Sequence, residues 1–219
     1  MTLWYRNVPL LILALWLLMA LLGVLFNLEP DKIHLDKILA TGGADAWLGY
    51  DDLGRPLWDR LVMGAGTSFF VAAGVVTVSV VVGTMIGASS AYFGGWLDHV
   101  IVRVIDIFLA FPGILLAIAL SGLLGPGIDN VIIALCVVGW VGFARLSRAQ
   151  VLSIKHREHV QAAIALGIKP FQIIIRHLLP LIVAPLIIEA TFGIASVVIA
   201  EAGLSFLGLG VQPPEASWG

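Results

Sequence analysis

The sequence predicts an all-α membrane protein, a multi-spanning helical bundle, and three observations predict it. Hydrophobic residues make up 60% of the 219 and charged residues only 12%, far from the balance of a soluble domain. Mean hydropathy is +1.04. Apolar runs of roughly 20 residues, enough to cross about 30 Å of hydrocarbon, recur along the chain. These runs are continuous rather than alternating, which sets aside the strands of a membrane barrel.

The first run, residues 9–26, follows a single Arg6. It exceeds a signal-peptide core in length, and Asn27-Leu28-Glu29-Pro30 replaces the small residues of a cleavage site, so it reads as an uncleaved anchor helix. Further spans are expected at residues 65–91, 101–124, 131–151 and 179–200, five crossings in all. Pro112 should kink the third by removing a backbone hydrogen bond. Gly83 and Gly87 form a small-xxx-small pair that permits close helix contact.

Charge placement sets orientation. The long segment after the first span carries Glu29, Asp31, Asp36, Asp45, Asp51, Asp52 and Asp59 against Lys32, Lys37, Arg55 and Arg60. Between the fourth and fifth spans lie Arg145, Arg148, Lys155, Arg157, Lys169 and Arg176 against one acid, Glu158. Positive loops stay inside, so this loop and the amino terminus are expected in the cytoplasm and the acidic segment outside. After the fifth span the tail should emerge outside, with Pro213-Pro214 preventing a longer helix.

Residues 157–180 form a basic insert between two apolar runs. Residues 157–166 have helix-forming composition, Gly167 suits a left-handed C-terminal cap, and Pro170 suits the first turn of a second helix. The expected result is helix, sharp turn, helix. Ala162 and Ala163 present little bulk, so a face bearing them can lie deep in a partner's groove, with Arg157, Lys169 and Arg176 at its rim.

Gln161-Ala162-Ala163, then Gly167 and Leu179-Pro180, resemble the cytoplasmic coupling loop of ABC-importer permeases. Asp51-Asp52-Leu53-Gly54-Arg55, Ala91-Tyr92-Phe93-Gly94-Gly95-Trp96, Leu109-Ala110-Phe111-Pro112 and Leu204-Ser205-Phe206-Leu207-Gly208-Leu209-Gly210 are similar to segments of the dipeptide/oligopeptide/nickel permeases, in particular the second, C-type, subunit. The likeness runs from about Trp47 onward. It implies an inner-membrane subunit of a bacterial or archaeal ATP-driven importer, forming half of a path for peptides or a related solute such as nickel. It also implies a homologous permease partner, two ATPase subunits and an extracytoplasmic solute-binding protein. On this reading residues 1–64 are an anchor helix with an external segment, and 65–219 the permease domain. Family members continue past Ser217-Trp218-Gly219 into one more span, so the expectation is a fragment or shortened permease lacking it. The coupling loop would use Glu158, Gln161, Ala162, Ala163, Gly167 and Pro180. Where the family motif opens with an acid this chain has Gln161, and Glu158 lies one helical turn earlier.

Catalytic and cofactor chemistry is not expected on this chain. None of Lys32, Lys37, Lys155 or Lys169 follows a glycine, so no phosphate-cradling loop is formed, and ATP belongs to partner subunits. His156 and His159 share helical spacing but have neither cysteine nor clustered carboxylates beside them, and read as a solvated face rather than a metal site. Cys136 reads as a small buried hydrophobe. A net charge of -2 gives no nucleic-acid footprint; membrane lipid is the expected surroundings. Inside the apolar runs, Arg103 and Asp106 should pair on one face. Glu189, without a cation at helical spacing, is either a pathway or subunit-interface residue or a buried hydrogen-bonded one. Two rivals to the importer reading are a proton-coupled secondary transporter using Glu189 and a permease fragment that assembles without transporting.

Overall fold

The computed structural model describes residues 2–26, 28–43 and 46–218, with side chains described for all of these except 2–10, 13 and 24. Asn27, Asp45 and Gly219, and the side chain of Arg6, lie outside the described residues. The order is α1 (Thr2–Leu25), a 3₁₀ turn (Leu35–Lys37), α2 (Leu57–Phe93), α3 (Gly95–Leu109), α4 (Gly113–Leu124), α5 (Ile128–Ile154), α6 (Glu158–Ala165), α7 (Pro170–Ile173), a π turn (Ile174–Leu178) and α8 (Leu179–Phe206). Among the described residues the only β-pairing is an isolated bridge between Tyr50 and Pro56. This is an all-α membrane fold. Helices Leu57–Phe93, Ile128–Ile154 and Pro170–Phe206 are long and apolar enough to cross a bilayer, and α3 with α4 would make a fourth crossing if taken as one span.

Two expectations about the spans change. Residues 101–124 do not form one kinked helix: α3 and α4 are bent by 85° across the Leu109–Gly113 break. Pro112 lacks an N–H and its ring disfavours helical backbone at Phe111, so α3 stops short of it. The carbonyl of Pro112 then accepts from the Leu115 and Leu116 amides, which starts α4. Conversely, the last span does not begin at residue 179. Its helix starts at Pro170 and passes through Pro180, because the π turn ahead of that proline shifts the backbone pairing: the Leu179 amide donates to Ile174, five residues back.

The chain divides into two compact units, each with its own packing. The first comprises Met1–Ala72, Gly125–Ile128 and Val198–Gly219. Here the Trp16 indole donates to the Ala65 carbonyl at 3.1 Å and stacks on Trp218 with centroids 5.4 Å apart. The Trp218 amide donates to Ser68 Oγ at 3.0 Å and its indole to the Leu61 carbonyl at 3.0 Å. What ends α8 is not Pro213-Pro214. Gly208 takes φ +75°, with Gly208 N–H on Ser205 and Leu209 N–H on Leu204 at 2.9 Å each, a Schellman cap that satisfies the last carbonyls.

Asp51 organises the loop of this unit. Its Oδ1 accepts from the Leu53 and Arg55 amides at 2.9 and 2.8 Å, and its Oδ2 from Arg55 Nε at 2.7 Å. Burial alone would raise the Asp51 carboxyl, but the two amides and the Arg55 guanidinium outweigh it and hold the group below the usual carboxylate range.

In the second unit, Ala73–Leu124 with Asp129–Val197, α2 and α5 meet through small residues. A Cβ built on Gly83 would run into the Trp140 carbonyl and Phe143, and one on Gly87 into the Ala144 carbonyl and the Ser147 hydroxyl. No hydrophobic drive operates between helices in lipid, so contact this close is what holds them.

Gly87→Val should overpack the α2–α5 contact and cost about 1–3 kcal/mol or more, measured as thermal unfolding in detergent. Gly74→Ala, which meets nothing within 4 Å, should be neutral or slightly stabilising; equal loss in both would refute the close-packing account. For Asp51, the depressed native pKa means its stabilisation is complete above the unfolded value of about 3.9 and drains away as pH falls through the native value. Protection of the Leu53 and Arg55 amides, measured against their intrinsic exchange rates, should therefore fall below about pH 4, and Asp51→Asn should abolish that dependence.

Candidate functional site

The basic insert folds as a helical corner. Helix α6 opens at Glu158, whose charge complements the helix N-terminus, and ends on Gly167 at φ +74°. There the Gly167 amide donates to Ile164 at 2.9 Å and the Ile168 amide to Ala163 at 3.2 Å, the paired bonds of a Schellman cap. A left-handed backbone costs any L side chain roughly 1–2 kcal/mol, and most for β-branched ones, so glycine is required here. Pro170 stands at the start of α7, where a missing N–H costs nothing.

One core anchors this corner. Val160 and Ala163 of α6 are buried together with Ile173, Ile174 and Leu178 of the α7–π segment, Val151 and Ile154 of α5, Ala88 and Ala91 of α2, and Ile182 and Leu186 of α8. The two alanines expected to face a partner are divided: Ala163 is turned into the chain's own core, while Ala162 is exposed. What lies open beside Gly167 is apolar and larger, with Leu166 80% and Phe171 62% exposed. Sequence reasoning gave neither residue a binding role; the signal available was a leucine and a phenylalanine set on either side of Gly167 and Pro170 in an otherwise basic loop.

Polar contacts fasten the neighbouring helix ends. Arg148 of α5 grips Asp98 of α3 with both arms, Nε to Oδ1 at 2.6 Å and an Nη to Oδ2 at 2.7 Å. Ser90 Oγ of α2 donates to Asp98 Oδ1 at 2.5 Å. Lys155 Nζ donates to the Ala91 carbonyl at 2.8 Å, and Gln161 Nε2 to the Lys155 carbonyl at 3.2 Å. Gln161 thus closes the end of α5 with an amide donor that a glutamate would lack.

The expected Arg103–Asp106 pair does not form among the described residues. Both side chains are exposed, where an i, i+3 pair returns only a few tenths of a kcal/mol. Of the remaining residues expected to couple, Pro180 is exposed on α8. Glu189 lies nine residues beyond it, about 14 Å further along the axis, and is not part of this site. It is exposed on α8, with Oε1 3.4 Å from a Cβ built on Gly142 and with Ile187, Ile188 and Phe192 open beside it at 60% or more. Among the described residues no group of three potential metal ligands comes together.

Arg148→Met should strip Asp98 of both guanidinium bonds and cost about 1.5–3 kcal/mol, seen as faster amide exchange over residues 90–98. Arg148→Lys should recover part of the loss, since an ammonium cannot span both carboxylate oxygens. Unchanged exchange in the Met variant would show that the pair holds nothing in place.

Residues 79–219 match the family described as the inner membrane component of binding-protein-dependent transport systems. The chain is 39% identical over 213 residues to a dipeptide transport system permease protein of Alkalihalophilus pseudofirmus, covering 97% of this chain and 70% of the relative. The corresponding protein of Bacillus subtilis is 38% identical, with 96% and 66% covered. A glutathione transport system permease protein of Pectobacterium atrosepticum is 41% identical over 186 residues, with 84% and 61% covered. The chain therefore spans about two thirds of the length of these relatives. Apolar spanning helices, the capped corner between α5 and α8 and these matches agree, and the chain belongs to the family of inner-membrane permease subunits of binding-protein-dependent ABC importers, which are multi-pass transport proteins and not enzymes.

Proposed function

We propose that this permease subunit forms half of a path for short peptides and that the segment from Glu158 to Pro180 is the lever by which ATPase subunits drive it. The observation that carries this reading is the single buried core joining α6 to α2, α5 and α8. A force applied to α6 cannot be absorbed locally, because displacing Val160 or Ala163 displaces the residues packed on them.

Leu166 and Phe171 supply apolar anchors for the ATPase on either side of Gly167, while Glu158, Gln161 and Ala162 form the adjoining open face. Arg157, Lys169 and Arg176 lie at the margin, where they steer encounter more than they add affinity. The same basic residues favour a cytoplasmic position for this corner and for the amino terminus, and an external one for the acidic segment within residues 1–64. Two ATPase subunits bind ATP, a homologous permease completes the path, and an extracytoplasmic solute-binding protein delivers cargo. Short peptides are preferred over nickel as cargo because the relatives carry dipeptide and glutathione in their names. Glu189, with its apolar neighbours, lies at the permease–permease interface or along the path.

Gly167→Val strains the cap without touching the core. Uptake per ATP hydrolysed should fall by about tenfold, the equivalent of 1.4 kcal/mol, with membrane insertion intact. Leu166→Asp should weaken co-purification of the ATPase at unchanged expression. Normal coupled uptake in Gly167→Val, or labelling of a cysteine at residue 166 from outside the cell, would falsify the lever.

A further inference from the structure

The segment between α1 and α2, with the first turn of α2, lines an open cavity of about 520 Å³, a size suited to a small organic ligand. Its walls are aromatic, and it holds two carboxylates and one ammonium: Trp47, Trp58, Tyr50 and His34 line it together with Glu29, Asp59 and Lys32. The two indoles are not stacked on each other. Their centroids are 6.4 Å apart and the rings are tilted by 54°, and Trp47 is 82% and Trp58 38% exposed, so both present ring surface to an incoming group.

The charges are unequally committed. Lys32 Nζ is tied to Glu29 Oε2 at 2.5 Å, which neutralises that pair. Asp59 is half-buried; its Oδ2 accepts the Glu29 amide at 3.2 Å, and its Oδ1 has no partner among the described residues. An anion would meet the Asp59 carboxylate, and an uncharged apolar ligand would strip water from it without replacing the hydrogen bond. A cation satisfies both the carboxylate and the electron-rich faces of the indoles, the strongest of the aromatic cation acceptors. The segment already holds one cation against an aromatic residue: Lys37 Nζ lies 5.2 Å from the centre of the Tyr50 ring and donates to its hydroxyl at 3.3 Å.

We propose that this cavity binds an organic cation, a primary ammonium or guanidinium on a short aliphatic stem, between Trp47 and Trp58 with Asp59 as its counter-ion. The site is local to the segment and stands independently of the lever. Only the identity of the cation's bearer, a free amine or a basic side chain of a docking protein, rests on the external placement proposed above.

Arginine ethyl ester titrated into the purified full-length chain in nanodiscs is expected to give a saturable change in tryptophan emission. Trp58→Ala should abolish it. Asp59→Asn, whose amide oxygen can still accept the Glu29 N–H, should weaken it by about tenfold. N-acetylnorleucine methylamide, uncharged and of similar reach, should produce no saturation. Equal affinity for the uncharged compound, unaltered binding in Asp59→Asn, or no saturable response in the unsubstituted chain would overturn the proposal. With the assembled transporter, release of its solute-binding protein by saturating arginine ethyl ester would assign the cation to a protein side chain, and undisturbed docking would assign it to a free amine. Either result keeps the cation site, and loss of the site leaves the lever untouched.

Discussion

Burial of Val160 and Ala163 with Val151, Ile154 and Ile173 is the contact that holds the α6 corner to the long helices. Helix α6 has eight residues, too few to hold its shape in isolation, since helices shorter than about 12–15 residues are marginal in water. Its persistence comes from its packed face and its two ends. Burying a valine side chain stabilises by about 1.5–3 kcal/mol where water is the alternative. That condition applies wherever the corner meets water and not to helix contacts within lipid, where tails are as apolar as leucine. The hydrophobic effect can therefore fasten the corner tightly while the spans rely on close fit.

The corner is continuous with the spans in a second sense. From Pro170 the backbone stays helical to Phe206, with the π turn absorbing the extra residue ahead of Pro180. Ile174 and Leu178 at the ends of that turn are buried, so it is packed in place and does not act as a slack joint. Asp98 with Arg148, and Lys155 with the Ala91 carbonyl, join α3 and α2 to the same end of α5. Paired and largely shielded charges of this kind fix position, because separating them leaves an uncompensated charge in a poor solvent.

Continuous apolar runs made the long spans legible in the sequence, and local chemistry made the Gly167 cap and the Pro170 start legible, since both depend on backbone properties of one residue. Other features depend on what the chain meets after folding. Asp98 and Arg148 are 50 residues apart, and no local period links them; Arg148 reads as one more loop cation until α5 is seen to run on to Ile154. Ala162 and Ala163 are identical in composition, and only docking of α6 decides which turns inward. Pro112 and Pro180 show the same ambiguity. The first ends a helix, whose last carbonyls close on the Ala110 and Phe111 amides, and the second is accommodated because a π turn precedes it.

The proposed lever requires a body that resists bending. The α2–α5 contact supplies that resistance through backbone proximity: Gly83 and Gly87 admit the Trp140 and Ala144 carbonyls to distances that any side chain would forbid, and Gly139 does the same for the Ser79 hydroxyl. Dispersion falls steeply with separation, so surfaces this close have no shallow gradient along which to slide. The α6 corner packs on both helices, through Ala88 and Ala91 on α2 and Val151 and Ile154 on α5. Displacement at α6 is therefore shared between two helices that cannot easily part, and rotation of the pair as a rigid body requires less distortion than separation of its members.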